Sequence, residues 1–191
     1  MKYYSSLILV FLSFFFFSCE QHENALITTE NDEIVTANLS IPQVYVSDKG
    51  LTISQTIDGK SGGSISFDSS FVNNEGDTIK ICVKLTILPN SFVGLKEIQM
   101  IPNVEEGSIQ FFPEMVFDKK LQLDLSYTGL DLANLGYNQN SQIDFVYQAD
   151  NGNVEFLSNN GCKVIWNQSK IFVQNALLQH FSRYAFVRKS C

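Results

Sequence analysis

The sequence has few of the residues on which most enzyme active sites are built. It contains 2 histidines, and only His180 lies beyond the N-terminal region, since the other is His22. The letters of GxSxG occur in GKSGG at residues 59–63, but this run is part of the turn signal DGKSGG and precedes a predicted strand, whereas a nucleophile elbow leads into a helix. No HExxH, P-loop or GxGxxG motif is present. The sequence therefore argues against the usual serine hydrolases, zincins and nucleotide-binding enzymes. One histidine in the folded part also excludes a histidine-rich metal site. We therefore expect no cofactor, no metal and no conventional enzyme.

Basic residues are scarce as well. Lysine and arginine number 13 against 20 aspartates and glutamates, which gives a formal net charge of −7. An acidic surface repels phosphate backbones and anionic lipid headgroups. We expect no nucleic acid partner.

Long hydrophobic runs are absent after the first twenty residues. The chain opens MKYYSSLILVFLSFFFFSCEQ, in which Lys2 is followed by an apolar run over 7–17 and then by Ser18-Cys19. A short basic start, a short apolar core and a small residue before the cleavage point are typical of a secretory signal. The run is too short for a membrane-spanning helix. The pattern predicts a signal peptide over residues 1–18.

The end of this signal, Phe-Phe-Ser-Cys, resembles the lipobox of bacterial lipoproteins, particularly those of Bacteroidetes, although Phe16 stands where leucine is usual. The resemblance implies that Cys19 receives diacylglycerol and palmitate and becomes the mature N-terminus. The alternative is an ordinary secretory signal cleaved before a cysteine. Glu20 follows Cys19 where an aspartate would mark inner-membrane retention in some Gram-negative bacteria, so we expect the outer membrane, on either face.

An acidic segment follows the predicted anchor. EQHENALITTENDE, residues 20–33, has five acids and no base, and it is too polar to fold by itself. We interpret residues 19–48 as the lipidated cysteine and a flexible tether, and residues 49–191 as one domain. Fully extended, fourteen residues span roughly 50 Å.

The remaining cysteines show no motif. No CxxC spacing is present, so neither a redox pair nor a zinc site is indicated. In a compartment that permits disulfides, Cys82, Cys162 and Cys191 allow one bridge and one thiol, or three thiols. Cys82 shares the parity of Lys80 in its apolar segment, which predicts that it faces outward or sideways.

The dominant period of the domain is two. KLQLDLSYTG and SQIDFVYQA alternate apolar and polar residues, as half-buried strands do. Turn signals at 58–63, 73–77, 149–153 and 158–162 separate the runs. This arrangement predicts an all-β fold, a single antiparallel sandwich, with a hairpin formed by QIDFVYQ and NVEFLS. Helix is expected at most over 130–135 and 173–178.

Four segments occur in an order that resembles a known family. They are GKSGGSISF, LTILPNSFVGLKEIQM, FFPEMVFDKKLQLDLSYTGLDL and HFSRYAF. Together they resemble the ZU-five domain of zonula-occludens proteins, ankyrins and netrin receptors over residues of about 50 to 188. The matching positions are Leu85, Ile87, Pro89, Phe92 and Gly94, and then His180, Phe181, Ser182, Tyr184 and Ala185. Leu88 replaces the usual Ile, and Asn90-Ser91 the usual Gly-Ala. The resemblance implies a β-sandwich that binds a partner protein.

Some members of that family cut themselves between the Phe and Ser of an HFS sequence. The resemblance implies that Ser182 attacks the Phe181 carbonyl while His180 acts as the base. In one extended strand His180 and Ser182 would share a face, roughly 6.6 Å apart. The alternative is that residues 180–186 are simply the closing strand, with Tyr184 and Phe186 packed inward.

Other candidate sites are weaker. The aromatic residues of FFPEMVF (111–117) and Trp166 suit either an exposed protein-binding or glycan-binding patch or the core. The oxygen-rich run ADNGNVE, with Asp150, Asn151, Asn153 and Glu155, suits a hairpin turn better than a calcium loop.

The sequence therefore predicts an envelope lipoprotein whose β-sandwich is a protein-binding or structural module. Self-processing and glycan binding are the alternatives.

Overall fold

A computed structural model describes residues 43–47, 50–73, 76–149 and 153–189. The predicted signal peptide, Cys19, most of the predicted tether and Cys191 lie outside these residues.

The described chain forms two antiparallel sheets, which confirms the all-β sandwich prediction. Its strands are β1 (Gln43–Ser47), β2 (Gly50–Asp58), β3 (Gly63–Val72), β4 (Thr78–Ile87), β5 (Leu95–Asn103), β6 (Ser108–Phe112), β7 (Val116–Thr128), β8 (Ile143–Gln148), β9 (Val154–Phe156), β10 (Gly161–Ile165), β11 (Lys170–His180) and β12 (Arg183–Arg188). Sheet A has the order β1-β2-β5-β6-β12-β8-β9, and sheet B has the order β10-β11-β7-β4-β3.

The period of two places the core between the sheets. In β7, Leu121, Leu123 and Leu125 are buried, while the residues between them are more exposed. The same alternation in β4 buries every second residue from Ile79 to Ile87. Each sheet thus turns one apolar face inward. The predicted hairpin is confirmed, since β8 pairs with β9.

The helix predicted over 173–178 is wrong, because these residues belong to β11. The pairing of β11 with β7 shifts register between Val173 and Ala176. Asn175, at the bulge, has φ 51°, and its N–H donates to Asp124 Oδ1 at 2.8 Å. An extra residue in a strand changes the spacing of buried positions from two to three, and that spacing imitates a helix. No helix forms over 130–135 either, since residues 132–136 are turns, and the described part contains only one short 3₁₀ turn, Trp166–Gln168.

The segment LLQHFSRYAF is not a single strand, contrary to the closing-strand interpretation. β11 ends at His180 in sheet B, and β12 begins at Arg183 in sheet A. Phe181 and Ser182 carry the chain from one sheet to the other. The expectation that Tyr184 and Phe186 pack inward is confirmed, since both are buried.

Strand β1 lies within the range assigned to the tether. It pairs with β2 from Gln43 opposite Ser54 to Ser47 opposite Gly50. The ordered sheet therefore begins before residue 49.

The neighbouring side chains Phe111 and Phe112 test the inward and outward faces of β6. Phe111 is 0% exposed, and Phe112 is half-buried on the other face. We expect Phe111→Ala to lower the free energy of unfolding by about 3–5 kcal/mol, because it leaves a cavity in the core. Phe112→Ala should cost less than half as much. Urea denaturation followed by circular dichroism measures both, and equal losses would contradict the assignment of faces.

Candidate functional site

The crossing between the sheets is held by backbone hydrogen bonds on both sides of the Phe181-Ser182 peptide. The Phe181 N–H donates to the Met115 carbonyl at 2.8 Å, and the Ser182 carbonyl accepts from the Phe111 N–H at 2.9 Å. These bonds tie the crossing to the end of β6 and to the residues that precede β7. The crossing is therefore a fixed corner.

The Phe181 side chain fills the core at this corner. Its ring is 2% exposed and stacks on Phe111 of sheet A, with centroids 5.1 Å apart. It also meets the edge of Phe117 of sheet B at 4.7 Å. Aromatic pairs in these geometries contribute about 0.5–1.5 kcal/mol beyond the area they bury. The residue at the predicted cleavage position is thus a structural anchor for both sheets.

His180 lies half-buried beside two tyrosines. Its ring is perpendicular to that of Tyr147, with centroids 4.4 Å apart, and lies 6.1 Å from that of Tyr184. The Tyr184 hydroxyl donates to the His180 carbonyl. Burial raises the pKa of Tyr184, and the charges of Glu155 and Tyr147 raise it further, while the hydrogen bond to His180 lowers it. Tyr184 therefore stays a neutral donor at physiological pH.

A surface groove of about 420 Å³ opens at this corner, and we call it the corner groove. Its lining residues are Glu114, Met115, Val116, Tyr147, His180, Phe181 and Ser182. Val116 is 79% exposed on its rim. The residues of the corner groove thus combine aliphatic surface, three rings, one carboxylate and two hydroxyls.

The geometry changes one premise of the self-cleavage hypothesis. His180 and Ser182 do not lie on one extended strand, because β11 ends at His180 and β12 begins at Arg183. Both still line the corner groove. Neither Phe181 nor Ser182 has a positive φ. The described backbone therefore shows no left-handed strain at the bond that would be cut.

The aromatic residues predicted for an exposed patch are separated. Phe111 is in the core, which makes that part of the exposed-patch hypothesis wrong, and Trp166 is 40% exposed. Trp166 lies in a second groove of about 220 Å³, lined also by Leu130, Asp131, Leu132, Ala133 and Ser169.

Of the candidate calcium residues, Asp150 and Asn151 lie outside the described residues, and Glu155 is in β9. Across the described ranges no three His, Cys, Asp or Glu side chains are grouped to hold a metal ion.

The two cysteines in the described strands are not joined to each other. Cys82 is in β4 and Cys162 in β10, and these strands are three positions apart in sheet B. That separation is roughly 14 Å, which is too far for a disulfide. Burial and the charge of Asp144 raise the pKa of Cys162 to about 12, against an opposing effect of Lys189. Cys162 is therefore an unreactive thiol at neutral pH.

Sequence reasoning missed several residues of the corner groove. Tyr147 and Glu114 come from distant segments, and only the fold brings them to His180. Val116 lies in the aromatic run 111–117, and the alternation of apolar and polar residues in β7 predicts that its side chain is exposed. Counting back in twos from the buried Leu121 places Phe117 inward and Val116 outward.

A scan against protein-family models gives no match, and a search of curated proteins gives no match either. Among the residues that the structure describes, no helix is long and apolar enough to span a membrane.

The state of the Phe181-Ser182 bond can be measured directly. We expect one intact species, with the same cleavage state in Ser182→Ala, because hydrogen bonds hold the peptide on both sides and Phe181 is anchored in the core. The mass must be taken under denaturing conditions, since β12 pairs with both β6 and β8 and would stay bound after a cut. A fragment starting at Ser182 in the native chain, and absent from Ser182→Ala, would establish self-cleavage instead.

Proposed function

We propose that this chain is a lipoprotein of the bacterial cell envelope whose β-sandwich binds a partner protein. The proposed lipid anchor is supported by the order of Lys2, the apolar run 7–17 and Ser18-Cys19. This order is typical of a signal peptide followed by a lipidated cysteine. Cys19 would carry the acyl chains, and the outer membrane is the proposed location. The sandwich provides a rigid body at the end of the tether.

The corner groove is the observation that carries the binding proposal. Val116 is 79% exposed in a groove shared with Tyr147 and His180. Protein interfaces concentrate their binding energy where apolar and aromatic groups are ringed by polar ones. A groove of about 420 Å³ suits a few side chains of a partner better than a broad flat contact.

The charges near the corner groove favour a basic group on the partner. Glu114 lines the groove, and Glu155 is in register with Tyr147. The chain as a whole has a formal net charge of −7. A lysine or arginine could rest its stem on Val116 and its cation on the Tyr147 ring or the Glu114 carboxylate. The proposed partner therefore presents a basic side chain with an apolar neighbour.

Glycan binding is a second candidate, favoured by the exposure of Trp166 beside Asp131 in the second groove. An indole face and a carboxylate are groups on which a sugar ring stacks and forms hydrogen bonds. We rank it below protein binding, because Phe111 is in the core and the second groove has about half the volume of the corner groove.

The anchor is tested by Cys19→Ala. We expect the variant to lose membrane attachment or to keep its signal peptide, because the residue that would receive the lipid is gone. Membrane fractionation with an intact-mass measurement distinguishes these states. A Cys19→Ala variant that stays in the membrane at the mature mass would contradict the proposal.

The binding face is tested by a photo-crosslinking amino acid at Val116 in intact cells. We expect one discrete crosslinked product that disappears when Glu114→Lys is added, because the proposed partner is basic. The matched control places the crosslinker at Val72, which is 65% exposed on β3 and is not a groove residue. The same products from both positions, or a product unaffected by Glu114→Lys, would count against the corner groove.

A further inference from the structure

Two buried side-chain atoms of the described residues have no hydrogen-bond partner, Arg183 Nε and Gln55 Oε1. Arg183 begins β12, and Gln55 lies in β2, three positions away in sheet A. That separation is roughly 14 Å between backbones, so the two atoms do not satisfy each other. A buried donor without an acceptor is destabilising, and more so when its group carries a charge. Arg183 Nε is therefore an unsatisfied donor on a cation.

Arg183 lies on the outer face of sheet A, away from the core. It is opposite Gln110 of β6, and β6 buries Ile109 and Phe111 on its inner face, so Gln110 and Arg183 share the other face. The register of β12 with β8, continued by one residue, places Gln148 on the other side of Arg183. Both glutamines are half-buried. The guanidinium thus stands between two amide side chains.

The carboxylates that share this outer face on β5 and β8 are engaged with other residues. Glu97 of β5 accepts a hydrogen bond from the Ser54 hydroxyl at 2.5 Å. Asp144 of β8 forms a salt bridge with Lys189 at 3.0 Å. Within the described residues the Arg183 guanidinium has no salt bridge, hydrogen bond or ring contact. Its charge is partly withdrawn from water and is not compensated inside the domain.

The other arginine of the chain provides a contrast. The sequence has two arginines, Arg183 and Arg188, and both lie in β12. Arg188 is exposed, and its guanidinium donates to the Gly136 carbonyl at 3.0 Å. Water and a carbonyl therefore satisfy Arg188, whereas Arg183 keeps a donor that only an external acceptor can satisfy.

We propose that Arg183 binds a carboxylate of a partner protein, an aspartate or glutamate side chain, on the outer face of sheet A. A planar guanidinium forms two parallel hydrogen bonds with a planar carboxylate. The amide groups of Gln110 and Gln148 are donors for the carboxylate lone pairs that Arg183 leaves free. Such a contact compensates the charge of Arg183 and gives its Nε–H an acceptor.

The charge of the chain distinguishes between the anions that an arginine binds. With a formal net charge of −7, the protein repels multiply charged ligands more strongly than singly charged ones. A phosphate dianion, an anionic lipid surface and a chain of uronic acids are therefore disfavoured. A protein that carries one acidic side chain among neutral or basic ones is not repelled in this way.

The inference rests on the proposed function in that the partner is a protein, but it uses a different surface. Arg183 is not a lining residue of the corner groove, although the preceding residue, Ser182, is. A partner that places a basic side chain beside Glu114 could therefore place an acidic one on Arg183. The measurements below do not involve the groove, so failure of the Val116 crosslink and failure of this site are separate results.

The two arginine Nε–H signals in the nuclear magnetic resonance spectrum of the isotope-labelled full-length protein test the site directly. The probe is N-acetyl-aspartate N-methylamide, which has one carboxylate and no other charge, and its asparagine analogue is the neutral control. We expect the aspartate compound to act on the Arg183 signal with a dissociation constant at least tenfold lower than on the Arg188 signal, because only Arg183 lacks an acceptor. Arg183→Lys assigns the two signals.

No response at Arg183, equal affinity at the two arginines, or an equal response to the asparagine analogue would overturn the proposal. Glucuronate and inorganic phosphate are the competing probes. Tighter binding of either one than of the aspartate compound would overturn the protein partner in favour of an acidic glycan or a phosphate group.

The stability of Arg183→Met provides an independent measurement. Methionine keeps an unbranched apolar stem and removes the uncompensated charge, and replacing a buried charge by an apolar side chain is often neutral or stabilising. We expect the urea midpoint of Arg183→Met, followed by circular dichroism, to equal or exceed that of the native chain. A lower midpoint would show that the charge stabilises the free domain, and it would overturn the assignment of Arg183 to an external carboxylate.

Discussion

The packing of Phe181 between the face of Phe111 and the ring of Phe117 is a contact on which both sheets depend. The three rings come from sheet A, from sheet B and from the crossing between them. Because the crossing has only two residues, the sheets cannot separate or slide without moving the Phe181 ring. The short crossing also fixes the positions of His180 and Ser182, and both residues line the corner groove.

Buried tyrosine hydroxyls supply the polar part of the same connection. The Tyr127 hydroxyl, from sheet B, donates to the Ser108 carbonyl of sheet A at 2.5 Å, and the Tyr137 hydroxyl donates to the Phe186 carbonyl at 3.1 Å. Burial raises the pKa of Tyr127 and of Tyr137, so both remain neutral donors. A buried hydroxyl that keeps its partner avoids the desolvation penalty of an unpaired group. The core is thus joined by directional bonds as well as by apolar contacts.

The all-β architecture was predictable because the period of two depends only on neighbouring residues. The alternation in β7 and the turn signals around the β8–β9 hairpin are local features, and both predictions are confirmed. The bulge at Asn175 was not predictable, since a buried spacing of three is shared by helices and bulged strands. The crossing at Phe181 was missed for a related reason, because an extended chain that changes sheets keeps much the same pattern as one that continues. The corner groove required contacts between segments that the sequence does not place together.

The position of β12 in sheet A sets the order in which the domain can assemble. β12 follows every other described strand along the chain, yet it pairs with β6 on one side and with β8 on the other. Until β12 has been synthesised, β5-β6 and β8-β9 have no strand to connect them, and sheet A exists as two separate pieces. Long-range closure of this kind makes folding slow compared with local hairpin formation. A ribosome-bound chain therefore cannot complete sheet A until β12 has left the ribosome.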